Sequence, residues 1–387
     1  MRSKKMCVFA TGIAAVIIGI CAEKAYSNDE NRPKGNSVAA AVAEGVKWLV
    51  TVQGGDGGWG QDGGETSYVR TGEHLESNGN DVANTAVAAD ALLRAGNTPT
   101  SGPNREALSR AVRFILQNVE QSPADGLSVT NRQGTQIQRK LGPFIDTFLT
   151  SKLLAELDGN MGNTQANARV RQDLQKVVAK IEKNQLKDGS WNVAGGWAPV
   201  LGTAMASQSL DMAQRKGVRV DGTTMAKVDN YTKQVAANGA VGGVGSGSGG
   251  GAGRAVVLAS PASAGVDLYQ SAQVLEQLSR TEKDRQKNAP EINAVRAKLS
   301  DARFVNGFGS IGGEEFFSYL NISDSLRRTG GTEWTKWHAG MTEKILKMQN
   351  QDGTWAGHHC ITGRVAVTSA AILLLLADRE PVMLTKR

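Results

Sequence analysis

Apolar residues recur at helical spacing along most of the chain, and they do so in two kinds of segment. In one kind, such as 46–52 and 345–348, large apolar residues are mixed with polar and charged ones, as on a helix with one buried face. The other kind is rich in Ala, Ser and Thr, as in 84–94, 201–215 and 366–377. Small side chains let helices approach closely, so we expect the second kind inside and the first kind outside. The two kinds alternate, which predicts a series of helix hairpins.

Three of the predicted hairpins share a turn with the sequence Gln-x-x-Asp-Gly-x-Trp. Asp-Gly can end the first helix, because glycine adopts positive φ at low cost and aspartate tolerates the turn. The Gln amide can hydrogen-bond backbone groups at a helix end, and the Trp ring can pack across the joint. The twelve turn residues are Gln53, Asp56, Gly57, Trp59, Gln185, Asp188, Gly189, Trp191, Gln349, Asp352, Gly353 and Trp355.

Weaker copies of this turn precede three further segments of the second kind. Six helix pairs over about 350 residues favour a closed or stacked helical array. We therefore predict an all-α fold, an α/α toroid of about six helix hairpins with an inner and an outer ring, over residues 39–380, with a tail at 381–387. The weaker turns are 125–126, 238–239 and 306–309, and the segments that follow them are 144–157, 266–278 and 316–328.

The three turns resemble the QW motif of the squalene–hopene cyclase and protein prenyltransferase superfamily. That resemblance implies a toroid whose inner helices surround a central cavity. Class II cyclases of the family carry an Asp-x-Asp-Asp-Thr-Ala acid motif, whereas residues 81–86 here read Asp-Val-Ala-Asn-Thr-Ala. Ala83 and Asn84 cannot donate the proton, so we expect Asp81 and Asn84 to cap a helix instead. The chain also has few aromatic residues (8 Phe, 7 Trp and 5 Tyr) to stabilise carbocations.

A metal site would have to come from a cluster late in the chain. Resemblance to protein prenyltransferases implies a zinc ion held by Asp, Cys and His, but the expected Asp and Cys pair two residues apart is missing. His358, His359 and Cys360 are consecutive, and a further ligand such as Asp324 or His74 would be needed to complete a tetrahedron. The alternatives are a solvated loop with one thiol, which we favour, or a thiol nucleophile beside histidine. No cofactor is expected, and zinc is the alternative.

Carboxylates recur on the predicted inner helices, and two of them facing across a cavity could act as an acid–base pair on glycans. We name Asp146, Asp267 and Asp324 as candidates. Structural roles compete with this hypothesis, because residues at helix starts often cap helices and Asp with Arg four residues later forms an ordinary helix pair. The first role applies to Asp146 and Asp267, the second to Asp90 with Arg94 and Asp211 with Arg215.

The N-terminus reads as a secretory signal peptide over residues 1–27, with a basic start and an apolar run of 15 residues at 6–20. Cleavage is expected after Ser27 or Ala22, with lipidation at Cys21 or an uncleaved anchor as alternatives. Residues 28–38 form a polar lead segment. Removing residues 1–27 takes away four basic residues and one acidic residue, which lowers the formal net charge from +7 to +4. We predict an exported protein, periplasmic or extracellular, with Cys360 as its one cysteine.

The leading functional hypothesis is a protein that binds a small molecule or protein at the toroid mouth, without terpene cyclase activity. The loops at 54–80, 240–265 and 355–364 would form the binding surface. The charge is too mild to suggest nucleic acid, and membrane attachment would involve only an uncleaved or lipidated N-terminus. The alternative is an enzyme, either metal-dependent and transferase- or cyclase-like or a carboxylate-based glycan enzyme. A scaffold with a filled axis is the third possibility. The Gly/Ser tract at 242–253 lacks the Lys of a phosphate-binding loop.

Overall fold

The computed structural model describes residues 37–62, 79–191, 199–241, 264–299, 312–358 and 360–379. These residues belong to one compact unit that begins at Asn36, and their regular structure is helical apart from two isolated bridges. The helices are α1 (Val38–Thr51), α2 (Val82–Arg94), α3 (Arg105–Gln121), α4 (Gln136–Leu141), α5 (Ile145–Leu157), α6 (Thr164–Lys183), α7 (Pro199–Arg215), α8 (Gly222–Val241), α9 (Ala264–Leu278), α10 (Glu282–Lys287), α11 (Ala289–Leu299), α12 (Gly313–Thr329), α13 (Thr332–Lys347) and α14 (Arg364–Leu375).

Six helices form an inner ring in the order α2, α5, α7, α9, α12 and α14. α2 packs against α5 and α14, α5 against α7, and α12 against α9 and α14. α7 reaches α9 and α12 through the Gln208 amide, which donates to Glu276 Oε2 at 3.1 Å and to Ser325 Oγ at 3.2 Å. All 13 residues of α2 are buried, as expected for a helix of small residues enclosed on every side.

The remaining long helices, α1, α3, α6, α8, α11 and α13, lie outside the inner ring and pack on it with one face. In α3 the buried residues recur at helical spacing, as adjacent pairs that begin at Ala107, Ala111 and Ile115 and then at Val119 alone, and most of the other positions are polar. None of the helices in the described ranges combines the length and the apolar character that crossing a membrane requires.

The three Gln-x-x-Asp-Gly-x-Trp turns have the same hydrogen bonds. Each Trp Nε1 donates back to a carbonyl of the preceding outer helix: Trp59 to Leu49 at 2.8 Å, Trp191 to Ile181 at 2.7 Å and Trp355 to Ile345 at 2.8 Å. Each Trp backbone N–H donates to a threonine hydroxyl on the following inner helix. The turn therefore joins an outer helix to its inner partner through polar groups that are themselves buried.

The Gln of each turn reaches the next outer helix. Its Nε2 donates at 2.9 Å to a carbonyl there: Gln53 to Ala107, Gln185 to Thr224 and Gln349 to Ala41. The last of these bonds ties the final hairpin to the first helix and so closes the ring. The glycines of the turns have φ between +83° and +91°, and a Cβ on Gly189 would lie 2.3 Å from the Lys227 carbonyl oxygen.

The joint between α3 and α6 has no such turn and is held by basic side chains of α6. Lys176 Nζ donates to the Val119 carbonyl at 2.7 Å and to the Ser122 carbonyl at 2.8 Å. Lys180 Nζ donates to the Pro123 carbonyl at 2.5 Å. Ammonium groups thus bind carbonyls at and just beyond the C-terminal end of α3, where the helix dipole favours cations.

A layer of ion pairs closes the ring axis between the C-terminal halves of the inner helices. Lys152 of α5 binds Asp324 of α12 at 2.7 Å, and these two helices are opposite each other in the ring. The other pairs are Arg94 with Glu156 at 2.8 Å, Arg328 with Asp211 at 2.6 Å, Arg328 with Glu276 at 2.7 Å and Arg215 with Asp211 at 2.9 Å. At this level the axis is filled by protein side chains.

One of the two ion pairs predicted from the sequence, Asp90 with Arg94, is wrong. Arg94 does not pair with Asp90 within α2 but with Glu156 of the neighbouring inner helix, because both side chains point into the ion-pair layer. The expected pair of Asp211 with Arg215 does form, and Arg328 of inner helix α12 also binds Asp211.

Candidate active site at the mouth of the inner ring

Two buried carboxylates meet at the end of the ring where the inner helices begin. Asp81 precedes α2 and caps it: its Oδ1 accepts the Asn84 backbone N–H at 2.8 Å, and its Oδ2 accepts the Asn84 amide at 2.8 Å. Asp146, in the first turn of α5, accepts the Ala83 backbone N–H at 3.0 Å. Both carboxylates therefore converge on the first turn of one helix, where free N–H groups and the helix dipole favour anions.

The expected cap at Asp81 thus forms, whereas Asp146 does more than serve its own helix. It binds the N-terminus of the neighbouring inner helix α2. The reason is packing: α2 and α5 are adjacent in the ring, so a side chain at the start of α5 reaches the start of α2.

The pKa values of both carboxylates are raised toward neutral pH. Burial raises the pKa of Asp81 to about 6, although hydrogen bonds from Asn84 and the charge of Arg132 lower it. Burial and, to a smaller extent, the charge of Asp81 together raise the pKa of Asp146 to about 7. Asp81 and Asp146 are 4% and 1% exposed, and Asp146 is about half protonated at pH 7.

Gln138 holds the Asp146 carboxylate in place. Its Nε2 donates to Asp146 Oδ2 at 2.7 Å and to the Arg132 carbonyl at 3.0 Å. Its Oε1 accepts the Thr135 backbone N–H at 3.1 Å, as part of a capping box at the start of α4. The orientation of the amide is therefore fixed by three bonds, and it presents a donor, not an acceptor, to Asp146.

An open cleft of about 530 Å³ lies on the same face of the ring as the carboxylate pair. Its walls come from the connection between α3 and α4, from the residue before α5 and from the end of α6. The apolar part of the wall includes Leu127, Phe144 and Leu186, and the polar part includes Asp125, Asn131 and Gln133.

Asp324, one of the other two candidates, does not join the pair at the mouth but binds Lys152. Burial would raise the pKa of Asp324, but the charges of Lys152 and Arg94 outweigh it and lower that pKa to about 2. Asp324 therefore remains ionised within the ion-pair layer, where Asp211 also binds Arg328. Asp267 is in α9, and its side chain lies outside the described residues.

The predicted His358, His359 and Cys360 cluster is not assembled into a metal site among the described residues. No group of three metal-binding side chains occurs there, and His358 is exposed. His359 and His74 lie outside the described residues. Burial raises the pKa of the Cys360 thiol to about 11, and the neighbouring Glu314 carboxylate adds to this effect, so the thiol is a poor nucleophile at neutral pH.

Sequence reasoning missed a second group of mouth residues. Glu314 and Glu315 begin inner helix α12 and are buried. The Tyr319 hydroxyl donates to Glu315 Oε2 at 2.9 Å and accepts from Lys344 Nζ at 2.7 Å. The sequence signal for this group is a pair of adjacent carboxylates at the start of a predicted inner helix.

Comparison with known proteins supports the fold. No family model matches the chain, and no curated protein matches it either. Among solved structures it resembles an inactive variant of the α-1,6-mannanase GH76A of Salegentibacter sp. HEL1_6, with two aspartates replaced by asparagine, in complex with α-1,6-mannotriose. The TM-score is 0.50 at 7% identity, over 88% of this chain and 99% of that one.

The chain has an all-α, α/α toroid fold. The mannanase has the same fold, and the fourteen helices of the described ranges include the six inner and six outer helices that the sequence predicts. The comparison does not extend to the squalene–hopene cyclase superfamily, whose relation to this chain still rests on the sequence of the turns.

Proposed function

We propose that the protein is a glycan-cleaving enzyme that uses Asp146 and Asp81 as its acid and base. The observation that supports this most strongly is the pair itself: two carboxylates at the start of one inner helix, with pKa values raised to about 7 and about 6. Carboxylates in environments that separate and raise their pKa values are the usual sign of acid–base assignment in glycosidases.

The roles follow from the order of the two pKa values. Asp146 has the higher pKa and keeps its proton to a higher pH, so it is the group that protonates the leaving oxygen of a glycosidic bond. Asp81 has the lower pKa and is ionised first, so it either takes a proton from the water that attacks the anomeric carbon or attacks that carbon itself. Gln138 acts as a positioning residue, because it fixes the Asp146 carboxyl by a hydrogen bond of 2.7 Å.

Two further observations favour an enzyme over a protein that only binds a ligand inside the ring. The ion pair of Lys152 with Asp324 crosses the axis, so a substrate would approach from the mouth, where the carboxylates are. The structurally similar toroid is an α-1,6-mannanase, which makes an α-mannan the first substrate to test. That likeness concerns the fold, so we infer the chemistry from Asp146 and Asp81.

The test is polysaccharide cleavage by the purified protein. The panel contains α-1,6-mannan together with α- and β-glucans, and new reducing ends are measured between pH 5 and 8. We expect cleavage by the wild type and a loss of about a hundredfold or more in the Asp146→Asn variant, since general acid catalysis contributes roughly that much. Asp173→Asn is the matched control, because Asp173 is a buried carboxylate of outer helix α6 whose pKa burial raises to about 6.

Two results would reject the proposal: no glycan is cleaved by the wild type, or the Asp146→Asn variant is as active as the Asp173→Asn control. In the first case, binding of a glycan without cleavage would favour the ligand-binding hypothesis instead. Circular dichroism and the unfolding midpoint of each variant show whether a loss of activity reflects a loss of folded protein.

A further inference from the structure

We propose that the cleft between the connection at 123–133 and the end of α6 binds a neutral oligosaccharide. The inference rests on the proposed function, since it names the part of the molecule that holds the glycan next to the carboxylates. It is independent of catalysis in one respect, because binding can be measured without cleavage.

The cleft has the size and position for this role. Its volume of about 530 Å³ is within the range of small-molecule sites, roughly 300–1,000 Å³. Phe144, in its wall, precedes Asp146 by two residues. The Thr147 hydroxyl donates to the Leu127 carbonyl at 2.8 Å, so the start of α5 and the cleft wall are joined directly.

The charges around the cleft indicate an uncharged ligand. Of the residues that line it, Asp125 is the one with a charged side chain, and it is paired with Lys183. The ammonium group of Lys180, behind the wall, donates a hydrogen bond to the Pro123 carbonyl. No unpaired charge among the lining residues therefore attracts a phosphate, a carboxylate or an amine.

The uncharged polar groups suit sugar hydroxyls. Asn131 is exposed, and its side-chain amide has no hydrogen-bond partner among the described residues, so it can both donate to and accept from a ligand. Gln133 makes one long contact, with Ser128 Oγ at 3.5 Å, and keeps its carbonyl oxygen available. Each sugar hydroxyl is likewise both a donor and an acceptor.

The apolar side of the cleft suits the other surface of a sugar. Phe144 is half-buried and contributes the aromatic part of the wall, with Leu127 and Leu186 beside it. The C–H groups on one face of a pyranose ring pack against an aromatic ring, while the hydroxyls at its rim remain free for Asn131 and Gln133. An apolar wall and uncommitted amides in one cleft are the combination that a neutral glycan requires.

Isothermal titration tests this proposal with three trisaccharides: α-1,6-mannotriose, maltotriose and the anionic trigalacturonic acid. The Asp146→Asn variant and the wild type, the latter in brief titrations in the cold, are both used so that cleavage does not obscure binding. We expect a neutral trisaccharide to bind and the anionic one to bind at least tenfold more weakly. Asn131→Ala should weaken binding about three- to tenfold through the lost hydrogen bonds, and Phe144→Ala by about tenfold or more through the lost packing.

Gln172→Ala, an exposed change in the first half of α6, is the control and should bind like the wild type. The proposal is overturned if no neutral trisaccharide binds, if the anionic one binds more tightly, or if Asn131→Ala binds like the control. Asn131 is exposed, so its variant answers the question even if Phe144→Ala unfolds. Binding that depends on Asn131 but is not followed by cleavage would sustain this inference while rejecting the proposed function.

Discussion

The sharpest consequence of the carboxylate pair is an inverted pH dependence of stability at Asp146. In the Asp146→Asn variant the side-chain oxygen can still accept the Ala83 N–H. Its new NH₂ group, however, faces Gln138 Nε2, which is also a donor and is fixed by its bonds to Arg132 and Thr135. The variant therefore loses a buried hydrogen bond, which costs about 1–3 kcal/mol at every pH.

The wild type has a different cost, which grows with pH. The pKa of Asp146 is raised from 3.8 to about 7, so the unfolded chain ionises this group at a pH where the folded protein still keeps it neutral. Its stabilising contribution is complete below pH 4 and is lost as the pH rises to about 7. At 1.36 kcal/mol per unit of pKa, the loss amounts to about 4 kcal/mol.

The stabilities of the variant and the wild type therefore cross between pH 4 and pH 8. At pH 4 we expect the Asp146→Asn variant to be less stable than the wild type by about 1–3 kcal/mol. At pH 8 the wild type has lost its roughly 4 kcal/mol, so the variant should equal or exceed it. The repulsion by Asp81 that helps to raise the pKa of Asp146 is absent in the variant, and it is already included in this figure.

Urea unfolding followed by tryptophan fluorescence, at half-unit steps from pH 4 to 8, measures this difference. The control is Asp352→Asn. Burial tends to raise the pKa of Asp352, but hydrogen bonds from Thr354 and the charge of Arg364 lower it overall from 3.8. Its stabilising contribution is therefore nearly complete at pH 4, and the stability difference between the wild type and Asp352→Asn should stay nearly constant up to pH 8. Parallel pH profiles for the wild type and Asp146→Asn would refute the reasoning, because they would mean that Asp146 ionises alike in the folded and unfolded chain.

Three further predictions concern other parts of the ring. Gly353→Ala should lower the unfolding temperature, measured by calorimetry, several times more than Gly126→Ala. Both glycines have positive φ, and the backbone strain of alanine there costs about 1 kcal/mol. A Cβ on Gly353 would in addition lie 2.8 Å from a side-chain carbon of α1, whereas a Cβ on Gly126 would have no atom within contact distance. Lys152→Met should cost about 3–5 kcal/mol in urea unfolding because it leaves Asp324 buried without its cation, and a smaller cost for Lys152→Met with Asp324→Leu would identify the unpaired charge as the cause. Cys360, with a pKa of about 11, should react with iodoacetamide at pH 8 about a hundredfold more slowly than a free thiol, and a rate like that of glutathione would contradict this pKa.

The ring itself was predictable because its signals are local. An inner helix such as α2 is rich in Ala, Leu and Val without a charged face, whereas α3 shows an apolar stripe, and that contrast is visible in a dozen consecutive residues. The turn at Gln185 is equally local, since its Asp-Gly, Trp and Gln all act within seven residues. Even there, the partner of Gln185 is Thr224, 39 residues away, which only the ring geometry explains.

The candidate site was less predictable because each of its properties is tertiary. Asp146 was recognisable as a carboxylate at a helix start, but its partner Ala83 lies 63 residues earlier. Its raised pKa depends on burial by the whole ring and on the charge of Asp81, neither of which sequence spacing encodes. Gln138 lies in a helix of six residues, too short to give a periodic pattern, so its capping box with Thr135 was the one local signal.

Buried carboxylates at the two ends of the inner ring have pKa values shifted in opposite directions. In the ion-pair layer, Asp324 and Asp211 each contact a cation directly, and the cations hold the pKa of Asp324 down at about 2. At the mouth, burial outweighs the neutral N–H donors that bind Asp146 and the charge of Arg132 that acts on Asp81, so both pKa values rise. A cation in direct contact with the pair at the mouth, like the cations of the ion-pair layer, would stabilise the fold and keep both carboxylates ionised. The under-compensated pair lowers stability at neutral pH, and such a cost is typical of a site whose groups must exchange a proton.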